Sequence, residues 1–200
     1  MHLPLRLLPG ALVLALSLFA ANSAAAQAVP TASRGAQLSV FGEGSIVGTD
    51  YAKSTDAGVV LGARMRFHLP RYVSPSLEAR GGWVTGSDIR LETLLGGLRL
   101  ESNRSTFHPY GNFLVGRGSI VFAHPTIGLN GQPYRSDDSI VFNYGGGLQY
   151  DLDQSWGIQA EYQRQDWNIG GYPHAIRFNP NAFNVGVVYR PGFRRHAPRY

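Results

Sequence analysis

The sequence predicts an all-β chain whose eight antiparallel strands close into an up-and-down transmembrane β-barrel. Three observations carry this. From Gln37 onward the apolar residues recur at every second position, the period of strands, and nowhere at the i, i+3, i+4, i+7 spacing of a helix. Only 16% of the 200 residues are charged, against 44% hydrophobic, with 25 Gly, 10 Tyr, 10 Phe and 3 Trp. A soluble globular domain carries about 25% charge. Third, the chain opens on an apolar leader. The absence of cysteine excludes a disulfide scaffold, a thiolate metal site, a cysteine nucleophile and a lipidated cysteine anchor.

Residues 1–26 read as a secretory signal peptide. Met1–Arg6 carries a basic residue, Leu7–Ala21 is almost wholly apolar, and Asn22–Gln27 supplies the small residues of a cleavage site between Ala26 and Gln27. The apolar run is shorter than the ~20 residues of a spanning helix. Residues 27–36 follow as an N-terminal periplasmic segment, 37–190 as the barrel and 191–200 as a basic tail.

The strands follow in order. Leu38–Val47 is the first. In Ala57–His68, Val59, Leu61, Ala63, Met65 and Phe67 alternate with Gly62, Arg64, Arg66 and His68. Ser76–Thr85 sets Leu77, Ala79, Gly81 and Trp83 against Glu78 and Arg80, and Arg90–Glu101 sets Leu94, Leu98 and Leu100 against Leu95, Arg99 and Glu101. Tyr110–Phe122 is mixed: Tyr110, Leu114, Ile120 and Phe122 share a parity with Asn112, while Phe113, Val115 and Val121 share one with Arg117. A bulge inside this run would reconcile the two. Ile140–Asp151, Trp156–Trp167 and Ala182–Arg190 alternate again, the seventh with Gln159, Glu161, Gln163 and Gln165 on one face. The longer connections, His124–Ser139 and Asn168–Asn181 above all, fall at one end of the sheet and the shorter turns at the other.

Either face of such a barrel could be the inner one. The aromatic residues decide for a lipid exterior, because Trp and Tyr favour the two membrane interfaces. Phe67, Tyr110, Tyr150, Trp156 and Tyr189 fall near the short-turn ends, and Trp83, Phe122, Phe142 and Phe183 near the long-loop ends. These form two expected girdles around an apolar belt. The alternative is a secreted or periplasmic soluble barrel that binds a ligand. With these strands and Asn184-Val185-Gly186-Val187-Val188-Tyr189-Arg190 at the end of the last one, the chain resembles the small outer-membrane β-barrels that include the OmpA transmembrane domain, OmpX and the opacity proteins. The resemblance implies an outer-membrane location, periplasmic termini and long surface loops. It further implies an assembly signal at Asn184, Gly186 and Tyr189, read by the outer-membrane assembly machinery.

Glu43, Arg64, Arg80, Arg117 and Glu161 are the expected polar network of the lumen, joined nearer the turns by Arg66, Glu78, Arg99 and Glu101. An eight-stranded barrel is just wide enough for side chains to fill it, so these groups are expected to pair and plug it. A small gated pore, opened by exchange of Arg–Glu partners, is the second alternative. Catalytic, cofactor-binding and metal residues are expected to be none. The sequence has no His-x-Ser pair of the kind used by lipid A-modifying barrels, and His108, His124 and His174 each adjoin a proline. Asp137-Asp138 supplies too few of the 6–8 oxygens of a calcium site. The expected function is thus a non-enzymatic, monomeric outer-membrane protein whose loops meet an extracellular ligand in envelope-integrity or adhesion-type contacts. Its formal charge of +5 does not imply nucleic acid. Arg6, Arg190, Arg194, Arg195 and Arg199 account for the excess, leaving thirteen basic and thirteen acidic residues in Gln27–Tyr189.

Overall fold

A computed structural model describes residues 36–49, 55–67, 72–102, 105–127, 133–169 and 176–191. The expected signal peptide, the segment before Ala36, His174 and the tail after Pro191 lie outside them. The strands are β1 (Ala36–Gly48), β2 (Thr55–Phe67), β3 (Val73–Thr85), β4 (Ile89–Ser102), β5 (Phe107–Ile127), β6 (Pro133–Asp151), β7 (Trp156–Ile169), β8 (Ile176–Phe178) and β9 (Asn181–Tyr189). Neighbours pair antiparallel from β1 to β7, and β9 lies between β7 and β1, so the sheet closes.

Strands β8 and β9 are one stave. Trp167 pairs with Phe178 and Arg164 with Asn181 in unbroken register, and the Gln165 N–H donates to the Pro180 carbonyl at 3.0 Å. Pro180 has no N–H to return, which interrupts the ladder there. The closed barrel therefore has eight staves. Following partners once around from Gln37, through Arg66, Ser76, Arg99, Asn112, Gly145, Gln163 and Ala182, returns to β1 at Val47, ten residues further on. Such a stagger tilts the strands and sets the width of the lumen.

Two expectations about β5 and its connection need correction. The ladder is continuous from Phe107 to Val121, and the irregularity lies above it, between Val121 and Thr126, where four residues of β5 oppose a single residue of β6. Most of His124–Ser139, expected as a loop, is strand, because β5 runs on to Ile127 and β6 begins at Pro133. Pro133–Ser139 is polar at nearly every position. The hairpin rises past the apolar belt there, so pairing persists while the alternation that would reveal it vanishes.

The turns at the other end are tight. Asp153 accepts the N–H groups of Ser155 and Trp156 on its Oδ1 at 2.6 and 2.7 Å, an Asx-type turn that joins β6 to β7. Arg190 closes the last stave against it, its N–H donating to the Ser155 carbonyl at 2.7 Å.

The distribution of burial is inverted relative to a soluble protein. Leu94, Leu98 and Leu100 are 57–62% exposed, whereas Arg99, Glu101, Gln149, Gln159 and Glu161 are at most 2% exposed. Water outside would leave those leucines as exposed apolar surface and bury charge for nothing. Lipid outside explains both, since lipid-facing and lumen-facing residues alternate along each strand of a membrane barrel. The soluble-barrel alternative fails on this point.

Candidate functional site

The lumen has two storeys. The one nearer the short turns is polar. Arg80, on β3, is its centre: it forms ion pairs with Glu78 on its own strand and with Glu161 on β7, and its second amino group reaches the other Glu161 oxygen at 3.2 Å. Glu161 also accepts from the Tyr110 hydroxyl at 3.0 Å and from Asn184 Nδ2 at 2.8 Å. Glu101 gathers Arg66 at 3.0 Å, Arg99 at 2.9 Å and Arg64 at 3.5 Å. Glu43 accepts from Gln159 Nε2 at 2.8 Å, and Gln159 in turn accepts from Arg64 at 3.3 Å. Arg64, Arg66, Arg80 and Arg99 thus face Glu78, Glu101 and Glu161 in ion pairs, and Glu43 joins them through Gln159. Buried charges of this kind persist only when paired and hydrogen-bonded.

Aromatic rings complete this storey. Phe41 lies 5.5 Å from the guanidinium carbons of both Arg64 and Arg80, and the Arg99 guanidinium stacks 3.2 Å from the Tyr110 ring centroid. Such cation–π contacts strengthen when desolvated. Gly147 makes the space for Tyr110. A Cβ at that position would lie 2.7 Å from the Tyr110 hydroxyl and 2.8 Å from Glu161 Cβ. Tyr110→Phe deletes one charge-assisted hydrogen bond and is expected to lower stability by about 1.5–3 kcal/mol, measured as a reduced urea midpoint of unfolding.

The upper storey is apolar. Val47, Val84, Ile89, Leu91, Leu95, Leu114, Ile120, Phe122, Val141, Trp167, Ile169, Phe178 and Ala182 form one buried cluster inside the wall. Trp167, 1% exposed, stands above Gly118, where a Cβ would run into its ring. Its indole N–H donates to Gln165 Oε1 at 2.9 Å, and Phe178 meets it edge-on, centroids 6.2 Å apart. Between the storeys lies a cavity of about 30 Å³ whose lining includes Arg80, Thr93, Leu95, Asn143 and Gln163. That is room for a water or two.

Three expected placements are corrected. Arg117 is exposed on the outer wall and not in the lumen, because the unbroken β5 ladder puts it on the face of Phe113 and Val115. Its long stem lets the guanidinium rise toward the interface. Tyr110 and Phe122 belong to the inside and not to a girdle, at 7% and 6% exposure. Glu43, Arg64, Arg80 and Glu161 do line the lumen, each at most 5% exposed.

The other expected girdle residues face outward. Tyr150 packs against Phe107, and Trp156 against Tyr189, both pairs tilted with centroids 4.8 Å apart near the short turns. Phe67 ends β2 at that same level. Trp83, Phe142 and Phe183 face outward nearer the other end, at 40%, 41% and 51% exposure, and the Trp83 ring folds over Gly81. Of the expected assembly residues, Asn184 turns inward to Glu161, Gly186 pairs with Glu43 on β1, and Tyr189 faces outward. Gln159 and Gln163, placed by the sequence on one strand face but not in the expected network, are lumen residues, as are Gln149, Asn143 and Trp167. The parity of β7 carried the signal, since Trp167 continues the series Gln159, Glu161, Gln163, Gln165.

At the turn end of the lumen, His108 lies in β5 and not in a connection. Its Nδ1 lies 2.7 Å from the Ser102 carbonyl and its Nε2 3.1 Å from Asp151 Oδ2. Asp151 also holds Arg190 in an ion pair. Among the described residues there is no group of three or more His, Cys, Asp or Glu side chains arranged to hold a metal ion.

A closed barrel with an aliphatic exterior and a filled lumen defines a small outer-membrane barrel protein. The family described as outer membrane protein beta-barrel domain matches residues 11–190, and the chain belongs to that family and to the outer membrane. Its structure is similar to that of Neisserial surface protein A, with a TM-score of 0.55 at 12% identity over 78% of this chain and 99% of that one. Weaker likenesses are to Ail, the attachment invasion locus protein of Yersinia pestis, with a TM-score of 0.47 at 17% identity over 78% and 97% of the two chains, and to the outer membrane enzyme PagL, with 0.46 at 10% over 74% and 98%. No curated protein matches the chain in sequence.

Proposed function

We propose that this protein is a non-enzymatic barrel, closed to solutes, that acts through its surfaces: the wall reinforces the outer membrane and the outer hairpins make adhesion-type contacts. The observation that carries the reading is the double filling of the lumen, an ion-pair network below and an apolar cluster above. Water crossing it would have to separate buried ion pairs and also wet a hydrophobic plug. The extended β5–β6 hairpin supplies a paired, projecting surface suited to contact. Strand β9, bearing Asn184, Gly186 and Tyr189, is the segment proposed to be read during assembly.

Planar-bilayer recording tests the plug. The purified protein is expected to give no conductance steps at moderate voltage. Steps that disappear in Glu161→Ala would overturn the reading in favour of a pore gated by Arg–Glu exchange.

A further inference from the structure

Two amide side chains of the lumen are only half satisfied. Gln163 on β7 accepts from Asn143 Nδ2 at 2.8 Å, which turns its Oε1 toward β6 and leaves its Nε2 with no partner in the protein. Asn184 on β9 donates from Nδ2 to Glu161 Oε1 at 2.8 Å and leaves its Oδ1 without one. Both residues are at most 2% exposed. Gln163 pairs with Ala182 and Glu161 with Asn184, so the two amides are diagonal neighbours on the inner face of adjoining strands. Both line the cavity of about 30 Å³ between the storeys. One spare donor and one spare acceptor thus border the same space, and a buried polar group left without a partner costs its whole desolvation.

The lining selects the occupant. A cation would meet Arg80, and an anion would meet Asn184 Oδ1 with the Glu161 carboxylate behind it. Each guanidinium nitrogen of Arg80 already donates to Glu78 or Glu161. What fits is uncharged, accepts and donates at once, and is small, since one water needs roughly 10–15 Å³ of such space. We propose that this cavity is a binding site for buried water, in which one molecule accepts from Gln163 Nε2 and donates to Asn184 Oδ1, with the hydroxyls of Ser45 and Thr93 on the lining as further partners. Buried waters make about three such bonds. The bridge joins two short chains into one that runs from Asn143 through Gln163, the water, Asn184 and Glu161 to Arg80, linking β6, β7, β9 and β3. It lets the ion-pair storey end against the apolar one with neither amide stranded. Leu91 and Leu95 of the apolar cluster close the cavity from the upper side, so the water is trapped and opens no path through the barrel.

The test is water-selective cross-relaxation NMR on the isotope-labelled protein in detergent micelles, read at the side-chain amide protons of Gln163. The expected result is a direct contact with water, of the sign that only a long-held molecule gives, and no change in the Gln163 signal when chloride is exchanged for bromide or sodium for caesium. Gly82→Ala reaches into the cavity, its Cβ 2.7 Å from Thr93 Oγ1 and 3.9 Å from Val60 Cγ2, and is expected to weaken the contact several-fold. Absence of the contact in the unaltered, folded protein would overturn the proposal, and so would a Gln163 signal that follows the identity of the salt, the mark of a bound ion. An undiminished contact in folded Gly82→Ala would put the water outside this cavity and overturn it as well. The first two readings use the unaltered protein, so they decide even if Gly82→Ala fails to fold.

Discussion

Arg80→Leu is expected to lower the stability of the folded barrel by about 3–5 kcal/mol, the cost of removing one partner from a buried ion pair. The substitution strands two carboxylates at once. Glu78 keeps Arg99 at 3.9 Å as an ion-pair partner, and Glu161 keeps the neutral donors Tyr110 and Asn184. Urea unfolding in detergent micelles, followed by tryptophan emission, measures the loss. Adding Glu161→Gln to Arg80→Leu removes one stranded charge and is expected to recover part of it. A double variant no more stable than Arg80→Leu alone would show that the pair is not the unit that holds the lower storey.

Trp167→Ala is expected to cost a similar amount, about 3–5 kcal/mol, by the loss of buried surface and the cavity left behind. The ring packs on Val141 and Phe178 and above Gly118, and the wall around it is held by cross-strand hydrogen bonds that limit collapse into the gap. The readout is the temperature at which the unboiled protein loses its folded band in a denaturing gel. Conductance is expected to stay absent in the same variant, because the ion-pair network beneath is untouched. Trp167→Phe, which keeps most of the volume, is expected to be much milder.

What the sequence revealed and what it hid follow from one physical fact. Alternation marks a strand only where its two sides meet different surroundings. Across the belt that difference is strong, and Arg64, Arg80, Glu43 and Glu161 were legible as lumen residues because they alternate with leucine, valine and glycine. In the upper lumen both sides are apolar, so Leu95, Leu114, Ile120 and Phe122 gave no contrast, and Phe122 was assigned to lipid. Tyr110 was misplaced because an aromatic residue near a strand end reads as interfacial, while its hydroxyl is in fact held inside by Glu161. Arg117 was misplaced because charge was assumed to face inward. Above Val121 the β6 arm, Pro133–Ser139, is polar at nearly every position and the β5 arm passes through Pro125, so the two were read as loop.

The central claim is that lipid lies outside and a filled, dry lumen inside. The natural sequence has no cysteine, so single-cysteine variants along β5 carry a nitroxide spin label without background. Relaxation by oxygen reports lipid contact and relaxation by a water-soluble nickel chelate reports water. In bilayers, labels at Phe113, Val115 and Arg117 are expected to respond to oxygen, and those at Asn112 and Leu114 to neither agent. Oxygen response at Asn112 and Leu114 with nickel response at Phe113 and Val115 would mean the barrel is soluble-type, and nickel response at Asn112 and Leu114 would mean the lumen is an open, wet channel. Either would contradict the account.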